Sequence, residues 1–97
     1  MSENISTEKI LATIVSIIGE ALMVDPNTLT GQTRLFADLE SESIDIVDIR
    51  FRIEQAFGFK IDQHDLMSGF GPQAGNSEVI DGFTVDYLVK YVGSRLK

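Results

Sequence analysis

Three stretches of this chain repeat apolar residues at helical spacing, and no stretch alternates them convincingly as a half-buried strand does. That pattern restricts the fold to an all-α arrangement. In the first stretch Ile10, Ile14, Ile17, Ile18 and Ala21 recur on one face, with Leu11 and Leu22 beside them. Thr7 or Ser6 is the expected cap, and Asp25-Pro26-Asn27 is a turn signal that ends the helix near Val24. The last stretch is expected from Thr84, its cap, to about Leu96, with Val85, Leu88, Val89, Val92 and Leu96 as its apolar face. The middle stretch is expected from about Ser43 to Phe57, with Gly58 just past its end as a C-terminal glycine.

Between these helices, residues 27–41 read as a long loop pinned to the core by Leu29, Leu35, Phe36 and Leu39. Asp62 is placed to cap a short helical turn through Leu66. Residues 68–82 contain four glycines and one proline and read as a flexible loop with one helical turn around residues 78–81. The expected architecture is a small four-helix bundle, three main helices plus one or two short ones. It forms one domain over residues 1–97, a length that allows only a thin core.

A thin core makes the middle helix unusual. At about 100° per residue, Ile46, Ile49, Ile53 and Phe57 fall within an arc of roughly 80°, while Ile44, Val47 and Phe51 occupy a second arc of roughly 60°, nearly opposite. A small bundle helix normally needs one apolar stripe. One stripe is therefore expected to face the core and the other to meet a partner. Asp45 and Asp48 project beside the second stripe, and an apolar strip rimmed by acids suits a basic, greasy patch. A helix buried all round, with the long loop over its second stripe, fits the same periodicity.

Composition removes several function classes. The formal net charge is −7, from 8 basic and 15 acidic residues. Nucleic acid and anionic membrane surfaces favour a basic face, so both are disfavoured as partners. The chain has no cysteine, which excludes disulfides, thiolate metal sites and cysteine nucleophiles. The start Met1-Ser2-Glu3-Asn4 lacks the basic opening of a signal peptide, and no apolar run reaches spanning length. The expected location is the cytoplasm.

Three motifs fail on inspection. Residues 69–74 match the letters of a dinucleotide fingerprint but lack the strand and helix that motif requires, and Pro72 interrupts the turn. Asp38, Glu40 and Glu42 alternate as calcium ligands do. A calcium loop counted from Asp38 needs glycine at its sixth position and glutamate at its twelfth, where this chain has Ser43 and Ile49. His64, the single histidine, reads as a solvated residue rather than as a metal ligand or a base for Ser43.

Ser43 stands where the middle helix begins. Its hydroxyl is placed to cap a free backbone N–H, and a phosphate ester there would meet the same N–H groups and the positive helix end. Cap and modification site both fit this position.

The run Asp38-Leu39-Glu40-Ser41-Glu42-Ser43-Ile44-Asp45 resembles the Asp-Leu-Gly-x-Asp-Ser-Leu-Asp pattern of the acyl carrier protein family. Phe57 and Gly58 match the aromatic and glycine that close the family's second helix, and the resemblance covers most of the chain. It implies 4'-phosphopantetheine, supplied from coenzyme A by a holo-carrier synthase (a phosphopantetheinyl transferase) and attached to Ser43. The thiol of that arm would hold an acyl group as a thioester, so the chain would be a monomeric shuttle without catalytic residues or metal. Its partners would be acyl-loading and acyl-transfer enzymes with basic patches. Ile44, Val47 and Phe51 match the family's exposed contact stripe. Asp45, Asp48 and Glu54 match its acidic recognition positions, and Glu42 replaces the acid before the serine. Glu40 departs from the family's glycine, and Arg50 and Arg52 stand where ordinary fatty-acid carriers are more acidic or apolar. These departures point to a specialised carrier. A peptidyl or aminoacyl carrier, or an interaction module that leaves Ser43 unmodified, are the alternatives. Ser41 lies in a turn position that the family fills variously, and reads as incidental.

Overall fold

A computed structural model describes residues 6–68 and 76–96, with the side chains of 76–78 left aside. Five α-helices occur in this part: α1 (Thr7–Leu22), α2 (Ser43–Phe57), α3 (Gln63–Met67), α4 (Asn76–Gly82) and α5 (Val85–Arg95). No strand occurs among the described residues; Arg34 and Thr84 form a lone antiparallel bridge. The all-α bundle expected from the periodicity is the observed fold. Met1 to Asn4 and the glycine-rich stretch 69–74 lie outside the described residues.

Each main helix starts where its sequence supplies an acceptor for free N–H groups. At α1 this is Ser6, whose Oγ accepts from the Lys9 N–H at 3.2 Å. At α5 it is Thr84, whose Oγ1 accepts from the Tyr87 N–H at 3.1 Å. Each such cap typically contributes about 1 kcal/mol. Helix α1 stops at Met23, which takes the left-handed conformation at φ 58°, and the chain then turns back over the helix end. Gly19 permits this turn, since a Cβ there would stand 3.0 Å from the Val24 carbonyl oxygen. Helix α2 ends on Gly58 at φ 81°, a left-handed position that glycine occupies without strain.

Helix α1 packs against both α2 and α5. Ile10, Ile14, Ile17 and Ile18 of α1 meet Ile46, Ile49 and Ile53 of α2 and Leu88, Val89 and Val92 of α5 in one buried cluster. The first stripe of α2 is therefore the core stripe, with Phe57 partly buried at its end. The 26–42 connection begins with a 3-10 turn, Pro26–Thr28, whose Asp25 cap accepts from the Asn27 N–H. Leu29 and Leu35 then insert into the core, and burial of such a side chain stabilises by about 1.5–3 kcal/mol. The backbone of this connection is tied to the start of α5: the Leu35 N–H donates to the Phe83 carbonyl at 2.9 Å, and the Val85 N–H to Thr33 at 3.0 Å. The Phe83 ring lies 5.5 Å from Phe36 and 5.4 Å from Tyr87, between centroids.

Helix α3 has five residues, too few to be stable alone, so its position is set by tethers. Asp62 stands at its N-cap without a side-chain cap bond. Tyr87 Oη donates to the Leu66 carbonyl. Asp65 accepts from Tyr91 Oη at 2.7 Å and pairs with Arg95. On the other side, the carboxylate of Glu54 accepts from the Ile61 N–H at 2.6 Å and Arg50 Nη1 donates to the Ile61 carbonyl at 2.8 Å. Helix α4 extends beyond the single turn expected at 78–81, because it begins already at Asn76.

Candidate functional site

The start of α2 follows from the turn that precedes it. Arg34 and Asp38 close that turn: the Arg34 N–H and guanidinium both donate to the Asp38 carboxylate. These bonds hold Asp38 below the usual carboxylate range and raise Arg34. Glu40 then takes φ 56°. The glycine that the family places there has a physical reason, because a left-handed residue is costly for any side chain with a Cβ. Ser41 turns inward. It is buried, its Oγ donates to the Leu35 carbonyl at 2.7 Å, and its own N–H donates to the same oxygen at 3.1 Å. Ser41 is therefore a structural fastener for the loop, a role that the sequence pattern did not signal.

Ser43 does not cap the helix. The N-cap is Glu42, and Asp45 Oδ2 accepts from the Glu42 N–H at 2.8 Å, the reach-back that a capping box uses. Ser43 is the first helical residue. It is exposed, and its hydroxyl makes no hydrogen bond to the described residues. It stands at the rim of a groove of about 440 Å³, whose lining includes Phe36, Ile46, Met67, Val79 and Ile80. The serine oxygen is thus free, solvent-accessible and beside an apolar channel.

The second stripe of α2 is exposed and unpartnered among the described residues. Ile44 is 72% exposed, Phe51 55% and Val47 45%. The acids expected beside it divide into separate groups. Glu42 and Asp48 are exposed, Asp48 in an ion pair with Arg52 at 3.1 Å. Arg52 also reaches Glu20 of α1 at 3.4 Å. Asp45 is partly buried with its carboxylate turned back to the chain. Glu54 lies apart from the others: its side chain is only 10% exposed, it pairs with Arg50 at 3.4 Å, and it faces the Ile61 backbone rather than solvent. His64 is exposed on α3, as a solvated histidine is.

The family described as "Phosphopantetheine attachment site" matches residues 12–71, which run from α1 through α2 and past α3. Over 61 residues the chain is 41% identical to an acyl carrier protein of Thermotoga maritima, covering 63% of this chain and 75% of that one. The chain belongs to the acyl carrier protein family. A meromycolate extension acyl carrier protein of Mycobacterium tuberculosis is 32% identical over 62 residues, 64% of this chain and 54% of the relative. Acyl carrier protein AcpXL of Brucella melitensis is 40% identical over 48 residues, 50% of this chain and 52% of the relative. The function is that of an acyl carrier in fatty-acid or lipid biosynthesis, with 4'-phosphopantetheine as the prosthetic group. The exposed hydroxyl of Ser43 at a helix start, unbonded among the described residues, fits that group, since a phosphodiester there faces free N–H groups and solvent.

Proposed function

We propose that Ser43 is the attachment point for 4'-phosphopantetheine and that the groove beside it receives part of the acyl cargo. One observation carries this reading: in the acidic run, Ser43 presents an exposed hydroxyl with no partner among the described residues at the rim of an apolar groove, whereas the Ser41 hydroxyl is buried and bonded. The bound arm supplies a thiol for thioester chemistry, which this cysteine-free chain lacks.

The chain's own residues position and present. The start of α2 holds the Ser43 oxygen at the positive helix end, and the Asp45 reach-back keeps that first turn closed. The Ile44, Val47 and Phe51 stripe is the docking face for the phosphopantetheinyl transferase and for acyl-loading and acyl-transfer enzymes. Glu42 and Asp48, with Asp45 behind them, supply the negative rim that a basic patch on those enzymes meets. Glu54 contributes less to this rim, because its charge is paired internally. The protein works as a monomeric substrate and shuttle, a single carrier domain in the cytoplasm, rather than as an enzyme. No helix among the described residues is long and apolar enough to cross a membrane.

Intact mass tests the assignment. After incubation with coenzyme A and a broad-specificity phosphopantetheinyl transferase, the protein should gain one phosphopantetheine. Ser41→Ala should gain it as well and Ser43→Ala should not. Gain by Ser43→Ala would remove the assignment.

A further inference from the structure

We propose that Arg50 and Glu54, beyond Ile46 on α2, form a clamp that fixes the α2–α3 wall of the groove and so limits how deeply an acyl chain enters, making this carrier selective for short cargo. The proposal rests on the groove being the cargo site, as read above. At about 100° per residue, Ser43, Arg50 and Glu54 fall within an arc of roughly 40° on α2, so the clamp lies on the side of the helix that carries the serine. Ile46 lines the groove one turn after Ser43, and Arg50 stands one turn beyond Ile46. From there the two side chains grip both polar groups of one residue: Arg50 donates to the Ile61 carbonyl at 2.8 Å and Glu54 accepts from the Ile61 N–H at 2.6 Å. Ile61 itself is buried and lies two residues before α3, whose Gln63 and Met67 line the groove. The opposite side of α3 is tied to α5 through Asp65 and Leu66. Held from both sides, α3 is not free to swing away from α2.

The chemistry of the clamp also points to a positional role. The pair is partly buried, and ion pairs taken out of water are weak stabilisers that apolar residues of similar volume often match or better. Here the burial is not even fully compensated, since Arg50 Nε is buried without a hydrogen-bond partner among the described residues. Buried polar atoms left unpaired call for an explanation other than stability. Fixing the α2–α3 spacing is one that the bonds to Ile61 supply directly. Arg50 and Glu54 are positioning residues, acting on cargo through the wall they hold.

The test compares the native chain with the double variant Arg50→Met, Glu54→Gln, which buries no charge and keeps an acceptor for the Ile61 N–H. Each protein is loaded at Ser43 with straight acyl-phosphopantetheines of increasing even length, and the rate of thioester cleavage by hydroxylamine is measured. In the native chain, protection should rise with length and then level off. In the double variant the plateau should move about four carbons longer, because one helical turn is about 5.4 Å and an extended chain advances roughly 1.3 Å per carbon. Glu54→Gln alone should shift it in the same direction by less, and this variant serves as the test if the double variant does not fold. An unchanged plateau, or a change in protection that is uniform across lengths, overturns the clamp. Failure of the native chain to load at Ser43 is visible by mass before hydroxylamine is added. That result overturns the underlying site assignment, and the clamp proposal with it.

Discussion

Replacing Ser41 and Ser43 separately by alanine should give opposite results, and the structure fixes the size of each. Ser41→Ala removes a buried hydroxyl whose bond to the Leu35 carbonyl is 2.7 Å long. Leaving a buried acceptor unpaired costs about 1–3 kcal/mol, but this carbonyl retains the Ser41 N–H at 3.1 Å. The loss should therefore be that of one ordinary hydrogen bond, about 1 kcal/mol, or a fall in Tm of about 4–8 °C for a domain of this size. Ser43→Ala removes an exposed hydroxyl without a partner among the described residues, so stability should change by no more than about 0.5 kcal/mol. Urea denaturation followed by circular dichroism measures both. The midpoint should fall for Ser41→Ala with an unchanged slope, since slope reports the surface exposed on unfolding. Equal midpoints for the two variants, or a larger loss at Ser43, would refute the division of labour between these serines.

Other expectations follow from local geometry. Glu40→Gly relieves a left-handed side chain that costs about 1–2 kcal/mol and gives back about 0.4–1 kcal/mol through greater freedom of the unfolded chain. A higher denaturation midpoint is expected, by up to about 1.6 kcal/mol, and a lower one would count against strain at φ 56°. Burial raises the Tyr91 phenol above its ordinary value of 10.0. Its neutral form is thus the one the fold favours. The associated stability is fully present below pH 10 and lost as pH climbs through the raised value, a component that Tyr91→Phe should abolish in alkaline melting curves. Asp48→Lys should weaken binding to a transferase with a basic docking patch while helicity is retained. Its exposed pair with Arg52 contributes little to folding, and an unaltered affinity would argue against the acidic rim.

Much of this could be read from residue order. Helical spacing located α1, α2 and α5, and Ser43 to Phe57 is the observed span of α2. The two stripes of α2 also separate as their arcs require, since Ile46, Ile49 and Ile53 are the buried set while Ile44, Val47 and Phe51 remain exposed. Side-chain bonding was harder to read. Helical periodicity puts Arg50 and Glu54 at the edge of the core stripe, but only tertiary contact with the Ile61 backbone turns them inward. A charged residue at a helix margin carries no mark of its partner eleven or seven positions away. Ser41 was legible as a turn residue and not as a fastener, because its acceptor belongs to Leu35, on the far side of the turn. The N-cap fell on Glu42 rather than Ser43 because Asp45, three residues on, reaches back to its N–H. A serine and a glutamate before an acid at that spacing compete for the same role, and propensity favours the serine. Glu40 was conspicuous in sequence, and its positive φ supplies the reason that a glycine is expected there.

The central claim is that Ser43 carries the arm, and peptide mapping tests it most directly. After transferase treatment, trypsin should release the peptide from Leu35 to Arg50, which contains both Ser41 and Ser43. Fragmentation of that peptide should place one phosphopantetheine on Ser43 with Ser41 unmodified. An arm on Ser41, or on any residue outside this peptide, would contradict the account.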